Sequence, residues 1–497
     1  MASYIRINPA DNVAVALKDL HAGEHASFNG AEVVLAQDIP AGHKFTLTPL
    51  GEGDDVVKYG FPIGHVTRPA GKGCLVDHSC IKTNLSGLLE YCYEPKLVDI
   101  PAANPRTFKG FRRADGQVGI RNQVWIIPTV GCVNGVADAI AARLREEKSG
   151  AMGSVDSIVS FPHNYGCSQL GDDHENTRRI LADMVHHPNA GGVLIVSLGC
   201  ENNQLGPFME LVGKVDSGRV MTIKVQEVEG DEVEVGLEMA RRIFDVCCKD
   251  ERTEVPVSEL KVGLKCGGSD GLSGITANPL LGVFSDWIVA QGGTTVLTEV
   301  PEMFGAETIL MNRCQDKATF DKTVSLINDF KSYFMKNDQP VYENPSPGNK
   351  AGGISTLEEK SLGCTQKCGR SIVRDVLAYG DRLSTKGLNL LSAPGNDLVA
   401  STALAACGCQ IVLFTTGRGT PFGSFVPTMK ISTNSTLAAR KPGWIDFNAG
   451  VLAEDEPMQI TSERFTEYVL AVAEGRQVNN ETHGIREISI FKSGVTL

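Results

Sequence analysis

The sequence predicts an α/β protein: a small all-β module at the N-terminal end, followed by two α/β lobes on mainly parallel sheets. Three observations carry this. Residues 10–92 place Gly turns at short intervals, with β-branched runs between them. From residue 108 onward, apolar strand-like runs alternate with helical stretches. Four of those runs end in the same residue pair: Gly131-Cys132, Gly166-Cys167, Gly199-Cys200 and, reversed, Cys266-Gly267. Ligands of open α/β sheets bind beyond the carboxyl ends of the strands, so thiols recurring there point to a reactive or metal-binding site.

The β module rests on the turns Leu20–Gly23, Ile39–Gly42, Leu50–Gly53 and Arg68–Gly71, with short runs such as Val33–Leu35 and Val56–Tyr59 between them. Residues 93–107, with three prolines between Pro95 and Pro105 and no periodicity, read as a linker. Residues 108–252 read as the first α/β domain. Val124–Thr129 precedes a helix over Val136–Lys148, Ser157–Phe161 precedes Glu175–Val185, Val193–Leu198 precedes Pro207–Val212, and Val220–Val225 precedes Val233–Cys248. Right-handed crossovers then bring the strand-end loops to one edge. The charged run Lys249–Glu259 marks a boundary, and residues 258–497 read as the second α/β domain. Its strands are Lys261–Lys265, Thr294–Leu297, Leu388–Leu391 and Gln410–Thr415, and Tyr342–Gly353 is a long loop.

The 497 residues exceed one compact core, and 42% apolar with 21% charged residues describes an ordinary globular chain. A net charge of −12 argues against nucleic acid or anionic membrane as a partner. No apolar run approaches the ~20 residues of a membrane span, and the start Met1–Ile7 lacks the features of a signal peptide. The expectation is a cytoplasmic protein with reduced thiols, whose fourteen cysteines are fillers, metal ligands or nucleophiles rather than a disulfide framework. A homo-oligomer is compatible with this composition.

Five stretches carry candidate chemistry. Phe161–His174 packs two His, one Cys and two Asp into one strand-to-helix loop; His163 reads as an acid–base or metal group, whereas Asp172, Asp173 and His174 read as helix caps or surface residues. Gly199–Asn203 places Cys200 and Glu201 beyond an apolar strand, as metal donors or as a helix start. Cys266–Asn278 is a Gly-rich loop suited to carboxylate or phosphate, without a dinucleotide or P-loop fingerprint. Cys364 and Cys368 are spaced too loosely for a structural zinc pair. Thr415–Gly423 offers Arg418, the side chain suited to a bidentate grip on carboxylate.

These loops, with Glu299–Ala306, Asn344–Gly353, Ser392–Asp397 and the end Phe491–Leu497, resemble the altronate/galactarate dehydratase family along essentially the whole chain. The resemblance implies a SAF (β-clip) module followed by two Rossmann-like lobes. It also implies a hydro-lyase that takes D-altronate to 2-dehydro-3-deoxy-D-gluconate, with a small anionic sugar acid as its partner. Fe²⁺ would be the cofactor, with Mn²⁺ as a substitute. Read onto these loops, the candidate roles are His163, Asp270 and Lys350 in catalysis; Arg418, Ser269, Asn278, Thr420 and Asn396 around the substrate; and Cys167, Cys200, Cys266, Glu201, Glu299 and His78 as metal donors.

Two stretches depart from the family pattern. Where it has two His spaced one apart before Thr-Asn-Leu, this chain has Asp77 and Ser79 around His78, and Cys368 stands where a small residue is expected. Competing readings are a relative acting on galactarate, an iron–sulfur cluster on strand-end thiols, a non-catalytic sugar-acid sensor and an NAD-linked oxidoreductase.

Overall fold

The computed structural model describes residues 3–28 and 30–494; Met1, Ala2 and the last three residues of the Phe491–Leu497 motif lie outside them. The N-terminal module is built of short antiparallel strands, among them Val13–Ala16 against Lys44–Thr46, and Asp55–Lys58 against Phe61–Val66. It packs as two small apolar clusters, one around Val56, Ile63 and Val66, the other around Leu20, Ile39 and Phe45.

The first α/β lobe runs β1 (Gln123–Pro128), α1 (Asn134–Glu147), β2 (Ser157–Ser160), α2 (Gly171–Val185), β3 (Ala190–Ser197), α3 (Leu205–Val212), β4 (Val220–Lys224) and α4 (Glu232–Cys247). Its sheet is parallel, in the order β2-β1-β3-β4. The second lobe holds β5 (Lys261–Cys266), α5 (Ala277–Ala290), β6 (Thr294–Leu297), α6 (Leu357–Cys364), β7 (Val373–Leu377), β8 (Gly387–Leu391), α7 (Asp397–Ala406), β9 (Ile411–Thr416), β10 (Thr428–Ser432) and β11 (Phe447–Asn448). All seven strands are parallel, in the order β7-β8-β6-β5-β9-β10-β11. Every residue of β1, β5 and β9 except Lys261 is buried, as strands covered on both faces require.

Each lobe begins its sheet in the middle and then builds to both sides. β1 lies between β2 and β3, and β5 lies between β6 and β9. These reversals open the crevice in which doubly wound sheets bind ligands, and the Gly-Cys pairs sit on the loops leaving those strands.

The pieces are joined more tightly than the sequence suggests. Trp125 and Phe161 of the first lobe stack edge-on against Phe425 of the second, within one shared apolar cluster. The proline-rich stretch is an extended strap on the second lobe: Tyr91 donates to Glu307 (2.6 Å), Tyr93 donates to the Cys314 carbonyl (2.8 Å), and the Lys96 amide donates to Asn312 (2.7 Å). Thr107–Arg112 pairs antiparallel with Thr253–Pro256, a small sheet packed on the second lobe's core.

The N-terminal module docks on the second lobe through charge and through glycine. Lys44 and Lys58, both fully buried, converge on Glu359 of α6 at 2.9 and 2.8 Å. Gly42, Gly271 and Gly353 meet so closely that a Cβ on Gly271 would lie 1.9 Å from the Gly42 carbonyl oxygen. Among the described residues no helix is long and apolar enough to cross a membrane.

Burial opposes the charge on Glu359, but the ammoniums of Lys44 and Lys58 outweigh it and hold the carboxyl down at about 2. Because the folded value lies below the ordinary 4.5, its contribution is complete above pH ~4.5, and is lost as pH falls toward 2; the linkage is on the order of 3 kcal/mol. Glu359→Gln leaves two buried ammoniums facing an amide and should cost about 3–5 kcal/mol. Denaturant titration should show that loss together with faster proteolysis of the strap at residues 83–106.

Candidate functional site

The end of β5 delivers Cys266 into a cluster of thiols, carboxylates and ammoniums that is buried except at Asp397. Cys266 Sγ lies 3.3 Å from Cys364 Sγ, at the end of α6, and 3.1 Å from Glu302 Oε2. Cys364 Sγ lies 3.0 Å from the same oxygen. Among the described residues, these three form the one group of His, Cys, Asp or Glu ligand atoms lying within 4.8 Å of one another. Lys360 reaches the other Glu302 oxygen at 2.8 Å. Lys367 lies 2.8 Å from Cys266 Sγ and 3.1 Å from Glu299, while Lys265 joins Glu299 to Asp397. Glu299 holds a left-handed backbone (φ 68°) at the turn into Val300–Glu302, which carries both glutamates under the sheet edge.

The charge count of this cluster is informative. Three lysines face three carboxylates, so the cluster is neutral while both thiols keep their protons. Ionising the two thiols leaves two negative charges, which one divalent cation cancels. Two thiolates and a carboxylate are donors for a borderline-soft transition ion rather than for Mg²⁺ or Ca²⁺, so the donor set fits Fe²⁺. The hydrogen bond to Cys266 and burial together hold the Cys364 thiol well above its ordinary range. Burial works against the charge on Glu302, yet Lys360, Lys367 and Lys265 keep it below the usual carboxylate range.

The Gly-rich loop after Cys266 separates this cluster from an open crevice at the β5/β9 reversal. Gly267 and Gly268 are required there: a Cβ on Gly267 would meet Asp397 at 2.5 Å, and Gly268 has φ +61°. Beneath the loop lies a water-sized space lined by Ser269, Asp270, Lys360 and Cys364. Ser269 Oγ is buried without a partner. Above the loop is a cavity of about 320 Å³ lined by Asp270, Gly352, Arg418, Asn434, Arg440 and Glu454, closed on one side by Ala41 and Gly42 of the N-terminal module. Asp270 lines both spaces. Burial raises its carboxyl above the ordinary value, against hydrogen bonds from Thr433, Ser273 and Asn434.

The remaining predicted residues fall into three groups. Arg418 is exposed at the crevice, anchored through its amide to the Gly268 carbonyl at 2.9 Å. Lys350 lies on a short helix, Pro347–Ala351, whose Asn349 donates to the Ser269 carbonyl (2.8 Å). Thr420 lies on the Arg418 loop and accepts from the Phe422 amide (3.3 Å). Asn278 and Asn396 are occupied structurally: Asn278 ties Thr415 to Gly363, and Asn396 caps α7.

His163, Cys167, Cys200 and Glu201 lie instead on the first lobe, and the structure does not bring them to Cys266. His163 donates from Nε2 to the Pro128 carbonyl (2.7 Å) and accepts at Nδ1 from the Tyr165 amide (3.1 Å). Burial lowers it to about 4, with the Pro128 bond as a partial offset, so it is neutral at pH 7. Glu201 accepts from Thr129, Ser197 and the amides of Leu198 and Gly199. His78 is exposed, while Asp77 turns back on the Ser79 amide and hydroxyl. Asp173 does not cap α2: its oxygens accept from the amides of Ser493 and Gly494, tying down the C-terminal segment.

Sequence reasoning missed Glu302, Cys364, Lys360, Lys367 and Arg440. Glu302 stood inside a motif already singled out, and Cys364 was weighed only against zinc spacing.

Family models match three consecutive parts of the chain. They are described as the altronate/galactarate dehydratase SAF domain (residues 2–84), the D-galactarate dehydratase/altronate hydrolase second domain (110–247), and the D-galactarate/altronate dehydratase C-terminal domain (257–496). The chain is 57% identical to an altronate dehydratase of Bacillus subtilis (strain 168) over the full length of both. It is 57% identical to an altronate dehydratase of Escherichia coli (strain K12), covering 99% of this chain and 100% of that one. A galactarate dehydratase (L-threo-forming) of Escherichia coli is 33% identical over 96% of this chain and 94% of its own.

Two expectations follow from the geometry. Anaerobic Co²⁺ titration should develop thiolate-to-metal absorption that disappears in Cys364→Ser, and binding should tighten as pH rises because the raised thiol must lose its proton. His163→Ala should remove two backbone hydrogen bonds and a buried ring, lowering stability by about 2–4 kcal/mol in urea titration.

Proposed function

The chain belongs to the D-galactarate/altronate dehydratase family, and from that premise we propose that it removes water from D-altronate to give 2-dehydro-3-deoxy-D-gluconate. The observation that carries the substrate is the pair of full-length altronate dehydratase relatives at 57% identity, against 33% for the galactarate enzyme. The crevice supports the same reading. It is large enough for a six-carbon acid, and neither Arg418 nor Arg440 has a carboxylate partner among the described residues. An acidic protein thus keeps unpaired guanidinium groups at this cavity, as an anionic substrate requires.

In this reading Arg418, helped by Arg440, holds the substrate carboxylate. As the C2–H bond breaks, negative charge grows on that carboxylate, and the guanidinium groups stabilise it more strongly than in the ground state. Asp270, at the floor of the crevice, takes the C2 proton. Its raised value keeps it a stronger base than an ordinary carboxylate. Lys350 gives a proton to the C3 hydroxyl, which departs as water when the C3–O bond breaks. The resulting enol becomes the 2-keto acid by moving its hydroxyl proton to C3. Cys266, Cys364 and Glu302 would hold Fe²⁺, with Mn²⁺ a poorer match to two thiolates; when bound, the ion would balance the two thiolates and act as a Lewis acid beneath the Gly-rich loop. Ser269, with its unpartnered hydroxyl, sits between that cluster and the crevice.

The test is anaerobic turnover with added Fe²⁺, D-altronate and galactarate being offered separately, and the 2-keto-3-deoxy acid measured. Product from D-altronate is expected; product from galactarate alone would overturn the substrate assignment. Asp270→Asn should lower kcat by about 10²–10⁴. Arg418→Ala should lower kcat/KM by roughly 10- to 100-fold, the worth of a charged hydrogen-bonded contact, with part of the loss in kcat because the contact strengthens in the transition state. The acid limb of kcat/KM should lie above the ordinary carboxylate range, activity falling as pH drops through it and Asp270 protonates. An unshifted limb would remove Asp270 as the base.

A further inference from the structure

The first lobe carries a second group of thiols that the dehydration reading leaves unused. Cys132, Cys167 and Cys200 are all free and exposed. They follow β1, β2 and β3, the three adjacent strands around the lobe's own β1/β3 reversal, where a doubly wound sheet binds its ligand.

Their loops are stitched to one another. The Gly131 amide donates to the Tyr165 carbonyl (3.0 Å), and the Asn203 amide to the Gly166 carbonyl (3.1 Å). Asn203 Nδ2 donates to the Thr129 carbonyl (3.1 Å), and the Ser168 amide to Asn202 Oδ1 (2.8 Å). Each cysteine is preceded by a glycine at a point of close approach. A Cβ on Gly131 would lie 2.7 Å from the His163 carbonyl, on Gly166 2.1 Å from the Thr129 carbonyl, and on Gly199 2.7 Å from Gln226. The Gly-Cys pair is thereby explained: glycine lets neighbouring loops touch, and the next residue presents its thiol outward.

Two supports of this platform are residues that sequence reasoning took for other work, His163 for catalysis and Glu201 for metal binding. His163 pins the β2 loop to the end of β1, and Asn134 donates to the His163 carbonyl (2.8 Å). Glu201, buried, shapes the turn that carries Cys200. A second independent sign of a ligand is Asn203, 1% exposed, whose Oδ1 is buried without a partner between these loops.

We propose that Cys132, Cys167 and Cys200 ligate an iron–sulfur cluster of the [4Fe–4S] class, leaving one iron open to solvent or an anionic ligand. A single ion does not suit the trio. Bonds of about 2.3 Å hold two thiolates on one ion within about 4 Å of each other, and these three sulfurs do not all approach within 4.8 Å, as those of the buried cluster do. A cubane presents separate iron corners to thiols set further apart than one ion allows, and Cys thiolates are its usual ligands. Three Fe–S(Cys) bonds form as three thiols release one proton each to solvent; no electron transfer is invoked.

The test is iron and acid-labile sulfide analysis of full-length protein isolated without oxygen from iron-replete cells, with its visible absorption. Wild type and Cys364→Ser should each carry about four irons and four sulfides in this site. Cys132→Ser, Cys167→Ser and Cys200→Ser, singly or together, should lose at least nine-tenths of the sulfide, while the far-UV circular dichroism stays that of wild type because the thiols are exposed. Absence of sulfide from wild type, iron without sulfide, or sulfide retained in the triple variant would each overturn the proposal. Turnover does not enter these readings, so failure here and failure of the dehydration reading are distinguishable.

Discussion

Charge that cannot reach water must be paired inside the protein, and in this chain the pairs hold the parts together. Glu359 neutralises two lysines from the N-terminal module, Glu299 two from the second lobe, and Glu302 pairs with Lys360 beside two thiols. Each glutamate is at most 4% exposed. Such pairs add little net stability over apolar packing, but a missing partner is costly. The lattice therefore acts as a specificity device: module, strap and second lobe satisfy their charges only when correctly docked. Glu359 lies one position before Lys360, so α6 carries both the docking carboxylate and a lysine of the thiol cluster. The geometry of the crevice depends on that helix.

The two lobes apply the same topology to different ends. In both, the first strand lies centrally and the loops around it are glycine-rich because backbone must touch backbone there. In the second lobe the following thiol is buried among ammoniums, and the crevice opens on the far side of the loop. In the first lobe the thiols face outward on a platform held by buried polar groups such as His163 and Glu201. The placement of His163 follows from this division: its ring is spent on backbone, and its contribution passes through the loops it holds.

Much of this was legible in the sequence. The alternation of elements and the strand-end thiols came from apolar runs and glycines, which act locally. Thr294–Leu297 falls on its predicted bounds. What escaped depends on distant partners. β7 and β10 were missed because Arg374, Asp375 and Lys430 interrupt their apolar pattern, and Lys430 is buried only because Phe414 and backbone carbonyls receive it. Lys360 and Lys367 drew no reading from the sequence because nothing near them announces Glu302 or Cys266. The proline-rich stretch lacks periodicity, and its tyrosines fix it to the second lobe through partners more than two hundred residues away.

The central claim is that the substrate's carboxylate lies in the crevice at the β5/β9 reversal. The most direct measurement is a crystal structure of Asp270→Asn grown without oxygen and soaked with D-altronate. The account places the carboxylate against Arg418 and Arg440, with C2 facing residue 270. Substrate bound instead at the cysteine platform of the first lobe, with the Arg418 crevice empty, would contradict it.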